Sequence, residues 1–244
     1  MKMLLLGATS AIGHEAAKCF ADEGAEFFLV GRTAQKLEAV AQDLKARGAK
    51  RVESCLLDLA DLEQHQTLID TAIATLDGLD TVLISHGTLG DQQQCQQSVE
   101  ETLKEFSANC TSVISLLTIL GNYFERQRHG CIAVVTSVAG DRGRRSNYVY
   151  GTTKGAVSLF MQGLRSRLSR AGVSVVTIKP GLVDTPMTAN LKKGPLFASP
   201  QTVGKGIYRA IKQRKEVVYL PGYWRFIMLI VKLLPEKLFK RLAV

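Results

Sequence analysis

Seven short apolar runs recur along the chain, at 2–6 (KMLLL), 26–31 (EFFLVG), 51–57 (RVESCLL), 80–85 (DTVLIS), 130–136 (GCIAVVT), 173–179 (VSVVTIK) and 216–220 (EVVYL). Most are nearly continuous in Val, Ile and Leu, which predicts strands covered on both faces, as in a parallel sheet. Between them, stretches near 11–23, 33–47, 61–76, 98–127, 148–170 and 200–213 carry apolar residues at helical spacing. Regular strand–helix alternation implies right-handed crossovers and a doubly wound α/β sheet of about seven strands, with ligands at the strands' carboxyl ends.

The 244 residues, 46% apolar and 22% charged, suit one domain with a full core. Without repeats or a Pro/Ser-rich linker, we assign 1–220 to that domain and 221–244 to a basic amphipathic tail. The start, MKMLLLGATS, reads as a first strand, because its apolar run is too short for a signal peptide and flows into a glycine loop. No stretch reaches the roughly 18 uncharged apolar residues of a membrane span. Five scattered cysteines, with no C-x-x-C pair or His cluster, imply a reduced cytoplasmic setting and no metal site.

The net charge of +9 is uneven. Eight Lys/Arg against two Glu fall in the last 33 residues. A basic tail suits anionic lipid or a phosphorylated substrate, or is simply solvated surface. No recognition motif accompanies it, so nucleic acid is not an expected partner.

Chemistry enters at four places. Gly7 and Gly13 flank a tight turn into a helix starting near Ala11, where backbone N–H groups approach a pyrophosphate, though such turns also serve as plain connectors. After the second strand, Gly31-Arg32 offers a cation for a 2′-phosphate, favouring NADP(H) over NAD(H), or else a solvated helix start. Asp58 ends the third strand, placed for an adenine amine or a helix cap. Last comes SNYVYGTTK, where Lys154 lies one helical turn after Tyr150. A free phenol has a pKa near ~10, and an ammonium on the same helix face is expected to favour its anion.

Tyr150, Lys154, Ser137 after the fifth strand and Asn109 inside a helix, with the glycine turn and Lys179-Pro180-Gly181, resemble the short-chain dehydrogenase/reductase family over residues 1 to about 220. The resemblance implies a Rossmann-type fold, an NAD(P)-dependent oxidoreductase and a homodimer or homotetramer. It implies Tyr150 as proton donor, Lys154 on the nicotinamide ribose, Ser137 on the substrate carbonyl and Asn109 holding a relay water. Cofactor contacts fall on Gly7, Thr9, Ser10, Ile12 and Gly13; on Arg32, Asp58 and Leu59; on Ser85, His86 and Gly87; and on Tyr150, Lys154, Pro180, Gly181, Val183 and Thr185. The chain departs from the family pattern at Leu6 and Ala11 in the turn, and at Ile84-Ser85-His86-Gly87 after the fourth strand.

GDRGRRSNYVYGTTK, KPGLVDTPMTANLK, GTLGD and the tail are further similar to a subgroup that reduces decaprenylphosphoryl-2-keto-erythro-pentose, a polyprenyl-phosphate-linked ketosugar. A flavin-dependent oxidase making the ketone would then be a functional partner. Arg142, Arg144 and Arg145 are expected to bind the substrate phosphate, since guanidinium forks bind phosphate bidentately, or to form a salt network. In the tail, Trp224, Phe226, Ile227, Leu229, Ile230, Leu233 and Leu234, then Leu238, Phe239 and Leu242, sit among basic residues. That mixture predicts a helix broken at Pro235, lying on the inner face of a membrane, or covering the pocket or a subunit interface. Other lipophilic ketones, and a non-catalytic dinucleotide sensor, are the rival functions.

Overall fold

The computed structural model describes residues 1–241 of the chain. Leu242 of the tail series lies outside the described residues. Seven strands form one parallel sheet: β1 (Lys2–Leu6), β2 (Glu26–Gly31), β3 (Arg51–Leu56), β4 (Thr81–Ile84), β5 (Cys131–Val135), β6 (Ser174–Pro180) and β7 (Val217–Leu220). Their spatial order is β3-β2-β1-β4-β5-β6-β7, each neighbour parallel. The sequence therefore reverses direction between β1 and β4, and a crevice opens there at the carboxyl ends.

The continuous apolar strands are explained by two cores, one on each face. Met3 and Leu5 of β1 point into one, with Phe20 of α1 (Ala11–Ala21), Leu37 and Leu44 of α2 (Ala34–Ala46) and Ile207 of α8 (Pro200–Lys212). Leu4 and Leu6 point into the other, with Leu68 of α3 (His65–Leu76), Leu120 of α6 (Ser112–Gln127) and Met161 of α7 (Tyr148–Leu168). Successive side chains leave opposite sides of a strand, so a strand covered on both sides needs apolar residues throughout. The edge strand β3 is the exception, with four of its six residues exposed.

Two local differences from the sequence pattern bear on the site. The single helix expected near 98–127 is broken: α5 (Val99–Phe106) passes through a π-helical turn, Ser107–Thr111, into α6. Asn109 lies in that turn, the kind of helix irregularity that often marks functional positions. Ahead of α5 stands α4 (Gln92–Gln97), which apolar periodicity does not reveal because QQQCQQ buries only Cys95. Its start is fixed instead by Asp91, whose carboxylate accepts from the N–H groups of Gln93 and Gln94 at 2.8 and 3.2 Å.

The tail folds as α9 (Trp224–Leu233) and α10 (Glu236–Phe239), with the break at Pro235. A third apolar cluster, Val138, Trp224 and Met228 with Leu182 and Tyr219 beside it, fastens α9 to the carboxyl side of the sheet. Among the described residues, no helix is long and apolar enough to cross a membrane.

Candidate active site

The crevice is stitched shut at its base. Ser85 donates its backbone N–H to the Leu6 carbonyl at 2.8 Å and its hydroxyl to the Gly7 carbonyl at 3.0 Å. Gly7 has φ +83°, and a Cβ there would sit 2.5 Å from the His86 nitrogen; one on Gly13 would sit 2.4 Å from Ser85 Oγ. Both glycines are thus required by the turn's packing against the exit of β4. Ser10 caps α1, accepting from the Gly13 N–H at 3.4 Å, and no acidic side chain occupies the helix's first turn. The unneutralised helix start faces this crevice and suits an anion.

His86 Nε2 lies 2.9 Å from Ser112 Oγ, whose own hydrogen goes to the Ala108 carbonyl. The hydroxyl therefore accepts from Nε2–H, leaving Nδ1 as a bare acceptor. Nδ1 is buried without a partner among the described residues. Burial, and after it the Lys154 charge, pushes the imidazole down to about 3, so it stays neutral.

Gly87, Asn109 and Lys154 converge on one point. A Cβ at position 87 would fall 2.6 Å from Asn109 Oδ1 and 3.1 Å from Lys154 Nζ. Asn109 is fully buried, and its Oδ1 accepts from the Thr88 N–H at 2.9 Å. Lys154 is 4% exposed, with Nζ 5.7 Å from the centroid of the Tyr150 ring. Burial lowers the ammonium to about 8, with Cys110 and Glu105 opposing the drop.

Tyr150 differs from the sequence expectation. Burial raises its phenol to about 12; Ser137 pulls it back in part and Glu105 adds to the rise. At this separation the lysine charge does not overcome desolvation, so the phenol carries its proton at neutral pH. Ser137 caps a 3-10 turn (Val138–Asp141), accepting from the Ala139 N–H at 3.1 Å. Gly140 of that turn rests on the backbone of α7 at Lys154 and Gly155, which brings Ser137 and Tyr150 to the same side of the sheet.

The adenosine end is looser. Arg32 Nη1 lies 3.8 Å from Asp58 Oδ2, both side chains more than half exposed, an arrangement of little net strength. Asp58 Oδ1 accepts from the Ala60 N–H at 3.0 Å, so the carboxylate braces a turn. The buried Leu59 offers its carbonyl to His65 Nε2 at 3.1 Å. Thr9 sits against Gly31, while Ile12 is half-buried in the first turn of α1. At the nicotinamide end Pro180 closes β6, Val183 bridges to Ala198 and Thr185 begins a short 3-10 turn.

The three arginines do not form one cluster. Arg142 is committed to the tail: its Nη1 donates to the carbonyls of Val231 and Leu234 at 2.5 and 2.6 Å, and its Nη2 lies 3.0 Å from Glu236 Oε2. Its guanidinium also stacks 3.9 Å over Phe239. It therefore caps the end of α9, as cations do at helix carboxyl termini, and is not available as the expected phosphate ligand. Arg144 reaches Met228 Sδ at 3.4 Å, and its Nε is buried without a partner among the described residues. Arg145 is exposed.

Sequence reasoning missed several residues here. Glu105 contacts both Thr88 and Asn109. Asp141, at the end of the 3-10 turn after β5, accepts from Nζ of Lys179 on β6 at 2.5 Å and from the hydroxyl of Tyr219 on β7 at 2.6 Å. Trp224, which the sequence reading did place in the tail helix, lies so close to Gly181 that a Cβ there would be 1.9 Å from its indole nitrogen, and that nitrogen is buried and unpaired among the described residues. The signal for Glu105 was its position one turn before Asn109; nothing local marks Asp141.

A parallel doubly wound sheet with a Tyr/Lys pair at its carboxyl edge defines a dinucleotide-dependent oxidoreductase. The short chain dehydrogenase family profile matches residues 2–195, and the chain belongs to that family. It is 34% identical over 243 residues to an uncharacterized oxidoreductase of Streptomyces coelicolor, covering 99% of this chain and 96% of the relative. An uncharacterized oxidoreductase of Mycobacterium tuberculosis is 32% identical over 240 residues, covering 98% and 96%. The crystal structure of levodione reductase superposes with a TM-score of 0.83 at 21% identity, covering 91% of this chain and 96% of that one, which shows the shared fold. The protein is an NAD(P)-dependent oxidoreductase. Its crevice fits the dinucleotide: an unneutralised helix start lies beside a buried bare acceptor, His86 Nδ1.

Proposed function

We propose that the chain reduces the ketone of a polyprenyl-phosphate-linked ketosugar with NADPH, at a membrane surface. The observation that carries the lipid part is α9. Its inner residues Trp224 and Met228 are buried beside Gly181 and Val138, while Phe226, Leu229, Ile230 and Leu233, on its opposite face, are each more than half exposed. Arg225, Lys232, Lys237 and Lys240 surround that outer face, as suits contact with anionic headgroups. Arg144, whose Nε is buried without a partner among the described residues, and the exposed Arg145 remain for the phosphate. We assign NADPH because Arg32 is held only by a weak surface pair that a 2′-phosphate would replace.

When bound, the reduced nicotinamide supplies the hydride to the carbonyl carbon. Ser137 orients the carbonyl oxygen, and Tyr150 gives that oxygen its proton. The Lys154 ammonium stabilises the phenolate left behind, and Asn109 braces the Gly87 loop against Lys154. A phenol held near 12 starts with its proton on, the state in which it can serve as the donor for reduction. Exposed Val99 and Leu103 on α5, with Tyr148 and Leu159 on α7, are the surfaces we assign to a homodimer or homotetramer. A flavin-dependent oxidase would supply the ketone.

Purified protein offered NADPH or NADH with a panel of carbonyls is expected to turn over a prenyl-phosphate ketopentose with NADPH, followed by nicotinamide absorbance. Equal rates on the dephosphorylated analogue would favour a simple lipophilic ketone as substrate. In liposome flotation, the chain is expected to rise with anionic vesicles, and Phe226→Glu/Ile230→Glu to remain at the bottom. Equal flotation of the two removes the membrane role.

A further inference from the structure

Glu105 stands where α5 meets the loop that follows β4. Its carboxylate accepts from Thr88 Oγ1 at 2.8 and 3.0 Å and from Asn109 Nδ2 at 2.9 Å. Thr88 Oγ1, donating to Glu105, also accepts from Asn109 Nδ2 at 3.0 Å, closing a triangle. The loop lies directly on this carboxylate: Gly90, at φ +66°, has room for no Cβ, which would sit 2.6 Å from Glu105 Cδ. The side chain is thus locked by three elements at once, the loop, α5 and the π-helical turn.

We propose that Glu105 is a positioning residue that fixes the amide of Asn109 and serves as the counter-charge of Lys154. Four groups face Lys154: Tyr150 on its own helix, Cys110 from the π-helical turn, His86 from the loop after β4, and Glu105. His86 is held neutral and Tyr150 protonated. Cys110 is a buried thiol whose ionisation burial disfavours. Glu105 is the carboxylate among the four, and its charge works against the drop that burial imposes on the Lys154 ammonium. A buried ammonium needs such a partner to stay charged, and the charged form is the one that steadies a departing proton's phenolate. The sequence places this carboxylate four residues before Asn109, so one helical segment carries both the amide and the charge that holds it.

The inference rests on the proposed proton transfer from Tyr150, yet its test needs no turnover. The full chain is acetylated with trace acetic anhydride across pH 6–11, and the Lys154 peptide is quantified by mass spectrometry. The wild-type midpoint is expected near about 8. Glu105→Gln, which keeps the shape and removes the charge, should move it down by about one pH unit, and Glu105→Asp should move it less. The alkaline limb of carbonyl reduction should move with it, and kcat at pH 8 should fall about fivefold. An unmoved labelling midpoint in Glu105→Gln overturns the proposal. Should that variant not fold, Thr88→Val, which frees the carboxylate to swing away, should also lower the midpoint; no movement there is equally fatal. Failure of the reductase reading would show separately, as a wild-type protein without turnover whose Lys154 midpoint still responds to Glu105.

Discussion

Replacing Tyr150 with Phe is expected to lower kcat for carbonyl reduction by about 10²–10⁴-fold while leaving dinucleotide binding within about threefold. The substitution removes one oxygen and no packing volume, and Lys154 keeps its burial. Only the proton is missing. The pH dependence of the wild type then identifies which group sets the upper limit. The phenol stays protonated to about 12, whereas burial brings Lys154 down to about 8. Reduction needs both protons in place, so the rate should hold below pH 8 and fall as pH rises through the lysine's value. A limb near 10 would mean that Lys154 keeps its solution pKa and the site is more open than it looks. Steady-state kinetics from pH 6 to 10, with NADPH binding by fluorescence, measures both effects.

The sheet was legible because its signal is redundant: every central strand must be apolar throughout to serve two cores, and five such runs stand out between the two edge strands. Tyr150 and Lys154 were legible because their spacing survives in the one-dimensional chain. What sequence could not give was the commitment of charges brought together by the fold. Arg142 sits two residues from Arg144 in sequence, yet it is fixed by carbonyls of residues 231 and 234, about 90 positions away. An arginine-rich run reads the same whether its forks meet phosphate or a helix end. The Tyr150 pKa failed for a related reason, since desolvation depends on everything packed around the phenol and the local lysine is only one contributor. The break at Asn109 escaped because one π-helical turn between two helical segments is too short to stand out in the apolar spacing of the stretch 98–127.

A close approach of backbone to backbone at Gly140 yields a prediction with two signs. A Cβ on Gly140 would lie 2.6 Å from the Gly155 nitrogen and 2.7 Å from the Lys154 carbonyl carbon, both backbone atoms that cannot turn aside. Gly151 and Gly155, one helical turn apart on α7, meet the same 3-10 turn through the carbonyls of Ala139 and Gly140. Gly140→Ala therefore pushes the Ser137 turn off the helix that bears Tyr150. Overpacking of this kind costs about 1–3 kcal/mol, a fall in Tm of roughly 3–10 °C for a domain of this size. Because misplacement by about 1 Å can cost ~10²-fold in rate, kcat/KM should fall even well below the new Tm. Gly163, farther along α7, has nothing within 4 Å of where its Cβ would be. There the same substitution relieves only the helix's entropic penalty and should raise stability by about 0.5–1 kcal/mol, with kinetics unchanged. Thermal melts and kinetics on the two variants decide it: were Gly140→Ala as stable and active as Gly163→Ala, Ser137 would not be held against α7 by backbone contact, and the alignment of hydroxyl and phenol would need another source.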